Sequence, residues 1–144
     1  MGILSGLFKP NVKSMENRKD VDGLIKCLKH KDVDVQRKTA GALGRLRDPR
    51  AVETLLEILT DTTFFHIEDT LYLHGDVARA LGEIGDERAV EALESATHRE
   101  FSTIGSGFRS LEELAPEVEK SKRKIDYLKK AVKEALDKIK AKKN

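Results

Sequence analysis

The sequence predicts an all-α fold, a right-handed solenoid of stacked helix pairs with a long C-terminal helix. Three observations carry this. Residues 42–55, ALGRLRDPRAVETL, recur as ALGEIGDERAVEAL at 80–93, an offset of 38, and ten of the sixteen positions in 40–55 are identical to those in 78–93. Self-similarity at a period of roughly 20–50 residues marks stacked units, each unable to bury its apolar face alone. Charged residues make up 36% of the chain and aromatics 5%, with no Trp, which suits helices with many solvated faces better than a sandwich or barrel. Finally, Leu111, Leu114, Val118, Ser121, Ile125, Leu128, Val132, Ala135 and Ile139 recur at spacings of 3 and 4, the periodicity of one helical face.

At 144 residues the chain reads as one domain in three parts: an N-terminal cap over 1–19, repeats over 20–100, and a Gly/Ser loop with a long basic helix over 101–144. MGILSGLFKP at the start is too short to span a bilayer and has neither a basic n-region nor an A-x-A cleavage site. A myristoylation signal wants Ser or Thr where this chain has Gly6. Ile3, Leu4, Leu7 and Phe8 are therefore expected to cover the open end of the first repeat.

Repeat one starts near Asp20, with Val21, Leu24 and Leu28 aligned to Val52, Leu55 and Leu59 at an offset of 31. Cys27 falls on this apolar face, so it is expected to be a buried small hydrophobe. As the lone cysteine it forms no intrachain disulfide, and a reducing cytoplasm fits. The second helix, 33–47, carries Val35, Thr39, Ala42, Leu43 and Leu46 on one face. Its apolar stripe, and that of the next unit, are expected to end at Gly44 and Gly82. Asp48 and Asp86 then stand at N-cap positions, and Pro49 suits the first helical position, where its missing N–H costs nothing.

Repeat two has seven extra residues within 61–73, among them Phe64, Phe65 and Tyr72. These read as a loop plus an extension of the second helix, about 66–84. Repeat three has a first helix over 87–100; FSTIGSGFRS (101–110) reads as a loop. Ser110 and Glu113 form a capping box for the last helix, and Pro116 is expected to kink or restart it.

The fragment V-x-x-x-x-A-x-A-L-G-x-(I/L)-x-D-x-R-A-V-E-x-L, spelled by 35–55 and 73–93, resembles the HEAT-like repeats named after phycobilisome lyases. The resemblance covers roughly residues 20–97. It implies an α-solenoid of about two and a half HEAT-like helix pairs and, through the family's name, a role in attaching or handling tetrapyrroles. Where that family carries Arg after the Val35 position, this chain has Gln36, and His74 in the next unit; the nearest guanidinium is Arg37.

No Ser/His/Asp order, paired-carboxylate geometry or Walker-type loop stands out, so no catalytic residue and no cofactor are expected. His66, Glu68, Asp69 and His74 lie within nine residues but match no standard metal-ligand spacing, so packing or surface roles are expected. The net charge of +2 hides an asymmetry, since Lys120–Asn144 holds eleven Lys/Arg against three Asp/Glu, or +8, and the remainder is −6. That basic tail is expected to be a solvated helix face; nucleic-acid binding is the alternative. Val118, Ile125, Val132 and Ile139 also satisfy the a positions of a coiled coil, with Leu114 and Leu128 at d. Lys124 would then oppose Lys129 of a partner helix, so a cap on the last repeat in a monomer is preferred to a dimer.

The expected function is a non-catalytic, cytoplasmic, protein-binding scaffold that needs no membrane. Its contacts are expected from exposed positions of the second helices, Arg37, Lys38, Arg45, Asp76, Arg79 and Glu83, with Phe64 and Phe65 from the insertion.

Overall fold

The computed structural model describes residues 9–61, 70–103 and 115–143. These form seven α-helices: α1 (Val12–Asn17), α2 (Val21–Cys27), α3 (Val33–Leu46), α4 (Val52–Thr60), α5 (Thr70–Ile84), α6 (Ala89–Thr103) and α7 (Ala115–Lys143), with a 3-10 turn at Pro49–Ala51 before α4. The fold is an all-α helical repeat solenoid. One row of packed helices runs α1, α3, α5, α7, and α4 packs on both α5 and α6. The core between the rows is mainly aliphatic: Leu24, Leu28, Leu43, Leu55, Leu59, Leu81, Leu93 and Leu128 are all essentially inaccessible to solvent. Each such burial stabilises by roughly 1.5–3 kcal/mol.

The local chemistry of the repeat motif is explicit. Asp48 accepts a hydrogen bond from the backbone N–H of Arg50 at 2.9 Å, and Asp86 does the same for Arg88 at 2.9 Å. The Arg50 and Arg88 guanidiniums fold back onto these carboxylates, with Nη2–Oδ2 distances of 2.9 and 2.8 Å. The D-x-R motif is thus a cap clamped by its own arginine. Asp20 caps α2 through Gly23 N–H, and Asp32 caps α3 through Asp34 N–H.

The second helices end at Leu46 and Ile84, close to the expected 47 and 84, and Gly44 and Gly82, where their apolar stripes were expected to end, lie two residues inside them. They are instead points of close approach: a Cβ on Gly44 would lie 3.0 Å from Ala80 Cα, and one on Gly82 would lie 2.5 Å from Ala135 Cα. The left-handed residues that terminate these helices are Arg47, φ 54°, and its repeat counterpart Gly85, φ 74°. Glycine takes that conformation freely, whereas an L side chain costs roughly 1–2 kcal/mol. Residues 101–103, expected in a loop, are helical, since α6 runs to Thr103; 104–110 lie outside the described residues. Pro116, expected to kink or restart the last helix, is the second residue of the described part of α7, which starts at Ala115.

The N-terminal segment supplies an element not read from the sequence. Asn11 accepts from Ser14 N–H at 2.9 Å and opens α1, which packs on α2 and α3 through buried Val12 and partly buried Met15. Ile3, Leu4, Leu7 and Phe8 lie outside the described residues, as do Ser110, Leu111, Glu113 and Leu114 of the last helix's proposed cap and stripe; Val118 and Ser121 fall within α7. Cys27 is buried as expected, and its thiol donates to the Met15 sulfur at 3.7 Å.

The largest departure concerns α7. It packs on α5 as α5 packs on α3, and also on α6, so it supplies the second helix of a third pair. Residues 72–84 and 127–139 share Y-L-x3-V-x2-A-L-x2-I at an offset of 55. Leu128, Ala131, Val132, Ala135 and Ile139 are buried. Ile125, expected to pack inward, is only half-buried; Lys124, 6% exposed, takes the inner position with its ammonium 5.9 Å from the Tyr72 ring centroid.

Candidate functional site

The α1–α3–α5–α7 row presents its polar side chains at helical spacing. On α5, burying Leu73, Val77, Ala80 and Leu81 leaves Tyr72, Asp76, Arg79 and Glu83 as a half-buried stripe at i, i+4, i+7 and i+11. On α7 the equivalents of Tyr72, Arg79 and Glu83, each 55 residues on, are Tyr127, Glu134 and Lys138.

Asp76 is the centre. It accepts from Arg37 Nε at 2.7 Å and from the Tyr127 hydroxyl at 2.5 Å, joining three successive second helices. Arg79 Nη1 donates to the same Tyr127 oxygen at 2.7 Å, and its guanidinium stacks 4.5 Å over the Tyr127 ring. Tyr127 in turn meets Tyr72 edge-on, with centroids 5.3 Å apart, and Arg37 lies 5.2 Å above Tyr72. Gly75 makes room for this arrangement, since a Cβ there would lie 2.4 Å from the Tyr127 ring. Burial first, and then the bond to Asp76, push the Tyr127 hydroxyl above its ordinary pKa. It is a proton donor held in place at neutral pH.

Lower on the stripe, Glu83 pairs with Lys138 of α7 and with Arg47 at 3.2 Å. The Lys138 ammonium holds the Glu83 carboxyl below its usual range. Arg79 also faces Glu134 at 3.6 Å. At the other end, Arg45 grips Glu16 of α1 through Nε at 2.6 Å and Nη2 at 3.1 Å. That bond lowers the Glu16 pKa from 4.5 to about 2.

Between these contacts the surface opens into connected hollows. One of about 520 Å³ is lined by Lys13, Glu16, Arg37, Lys38 and Gly41 among others. A second of about 680 Å³ shares Gly41, Arg45 and Asp76 with it and reaches Arg47 and Glu83. A third of about 500 Å³ continues from Arg47 and Glu83 to Lys138 and Lys142.

A family model described as HEAT repeats matches residues 21–105, more than half of the chain. The chain belongs to the HEAT-repeat family. A search of curated proteins finds no match. In this HEAT-repeat chain the Gln36 amide, partly buried, donates to the Leu28 carbonyl at 2.8 Å. The contact between repeats is made one residue later, by Arg37 to Asp76.

The sequence-expected contact residues of this HEAT-repeat protein divide. Lys38 and Arg45 are exposed, whereas Arg37, Asp76, Arg79 and Glu83 are half-buried and engaged between helices. Phe64 and Phe65 lie outside the described residues, as do His66, Glu68 and Asp69; His74 is buried in α5, on a hollow of about 490 Å³ that faces α4. Among the described residues no group of three or more His, Cys, Asp and Glu has metal-holding geometry, and no helix is long and apolar enough to cross a membrane. Tyr127, Arg47 and Lys138 were missed. The shared Y-L-x3-V-x2-A-L-x2-I pattern could have found Tyr127 and Lys138, but the longer spacing before the third copy hides the repeat.

Proposed function

We propose that this HEAT-repeat chain is a non-catalytic, cytoplasmic scaffold that binds a protein partner on its α3–α5–α7 surface. HEAT repeats commonly serve as protein-interaction scaffolds. The observation that carries the reading is the run of hollows sharing Gly41, Arg45, Asp76, Arg47 and Glu83. It forms one surface whose walls are braced by ion pairs between helices. Bracing lowers the entropy lost on binding, which favours a partner laid along a preformed face. A pull-down from the source organism with the native chain and with Lys38→Glu tests it. A discrete protein band recovered by the first and lost with the second supports the reading; identical recovery from both overturns it.

The finer likeness to the repeats named after phycobilisome lyases rests on the motif at 35–55 and 73–93. A tetrapyrrole-attaching role gains nothing from Cys27, which is 8% exposed and whose thiol burial pushes up, away from the reactive thiolate. Nucleic-acid binding by α7 has one observation in its favour, the exposed Lys130, Lys133 and Lys140. Binding through about six phosphate contacts should weaken by orders of magnitude between about 50 and 200 mM salt. Absence of binding to DNA or RNA at the lower salt removes it.

A further inference from the structure

We infer that the partner segment received by these hollows is acidic: an extended, carboxylate-rich stretch of polypeptide lying across Gly41 towards Arg47. The inference rests on the scaffold reading above and names the partner's chemistry. Among the described residues the three hollows are lined by eight Lys and Arg side chains against four carboxylates, Glu16, Asp34, Asp76 and Glu83, a surplus of +4. Three of those carboxylates are already committed, Glu16 to Arg45, Asp76 to Arg37 and Glu83 to Arg47 and Lys138.

The donors that remain point into the opening. Lys38 is exposed on the first hollow. Arg45 binds Glu16 through Nε and Nη2, which leaves Nη1, and that atom lies 3.4 Å from where a Cβ on Gly41 would be. Arg47 gives only Nη2 to Glu83 and keeps its other two nitrogens, with 68% of the side chain exposed. A forked guanidinium with free donors matches a carboxylate.

Arg47 supplies a second, independent observation. It occupies the left-handed backbone position that the next repeat gives to Gly85. Lys19 shares that conformation, so what distinguishes Arg47 is that it also lines the second and third hollows beside Glu83. Gly41, where a Cβ would meet only Arg45 Nη1 at 3.4 Å, leaves room on the floor of the hollow for a backbone to approach. Among the described residues no aromatic lines the three hollows, so bases of a nucleic acid would find no stacking surface in that lining.

The test uses the full chain and three fluorescent probes: a short Glu/Gly peptide, its Gln/Gly counterpart and an oligothymidylate. Anisotropy titrations at about 50 mM salt should show saturable binding of the Glu/Gly peptide only. The double variant Lys38→Ala, Arg47→Gly should bind it about tenfold or more weakly. Neither change threatens the fold, since Lys38 is exposed on a helix and Gly suits the backbone of position 47. Lys133→Ala with Lys140→Ala, on α7 away from the hollows, should leave affinity unchanged. Equal binding of the Gln/Gly peptide, no binding of the Glu/Gly peptide, tighter binding of the oligonucleotide, or no effect of the double variant would each overturn the inference. If the pull-down partner is still lost with Lys38→Glu while the acidic peptide fails to bind, the scaffold stands and only its acidic specificity falls.

Discussion

Gly82 of α5 faces Ala135 of α7 so closely that a Cβ on the glycine would lie 2.5 Å from the alanine Cα. Gly44 faces Ala80 in the same way, at 3.0 Å. Both approaches are between backbones and cannot be relieved by turning a side chain. Gly82→Ala should therefore lower stability by about 1–2 kcal/mol, overpacking outweighing the helix propensity gained. Gly41→Ala, whose Cβ would meet only Arg45 Nη1 at 3.4 Å, should raise stability by about 0.5–1 kcal/mol. Urea unfolding of the two variants checks the contrast; equal midpoints would show that the helices do not meet at Gly82.

Tyr127→Phe removes the hydroxyl bonded to both Asp76 and Arg79 while keeping the ring against Tyr72. A loss of about 1–3 kcal/mol is expected, because a half-buried carboxylate and a guanidinium lose a partner together. An unchanged melting curve would mean that water replaces the hydroxyl without cost.

Deletion of residues 115–144 should expose the α5 and α6 surfaces now covered by Leu128, Val132, Ala135 and Ile139. The shortened chain is expected to melt lower and to aggregate. If light scattering instead finds a soluble, equally stable monomer produced from a dimer, α7 is an oligomerisation helix.

The glycines through which α5 receives α7 are Gly75, Gly82 and Gly85, and their counterparts on α7 are Lys130, Asp137 and Lys140, all exposed. Charges where the preceding helix has glycines would make close packing of another helix on this face costly. Replacing these three residues with alanine should promote self-association. A concentration-independent molecular mass for that variant in light scattering would show that the charges are not what stops the stack.

Glu16 gives a pH dependence of defined sign. Its folded pKa of about 2 lies below the ordinary 4.5, because Arg45 stabilises the carboxylate. Its contribution is complete above about pH 5 and is lost as pH falls towards 2. Denaturation midpoints taken from pH 6 down to pH 2 should fall less steeply for Glu16→Gln than for the parent. Parallel curves would show that the Arg45 contact does not form in solution.

Much of this fold was legible in the chain. The interval of 38 between the two ALG…D-x-RAVE-x-L copies marks the helix pairs, because each pair repeats one burial problem and its caps. Asp48 and Asp86 announce their roles by chemistry, as short acceptors placed before a helix. The copy in α7 was equally written, in Tyr127, Leu128, Val132 and Ala135, yet its apolar residues also satisfy a heptad. A period close to 3.5 describes a buried face without saying what buries it.

What sequence alone determined is therefore most of the apolar face of each helix, Ile125 and Lys124 excepted, since periodicity and capping are local. The choice of partners belonged to the tertiary structure. Asp76 meets Arg37 from 39 residues before it and Tyr127 from 51 residues after it. Those meetings depend on how far successive helices slide and how closely glycine lets them approach, and neither is encoded within any one helix. The same stacking places Arg47, at a helix end, beside Glu83 of the next repeat, and so gathers basic side chains from separate helices into one surface.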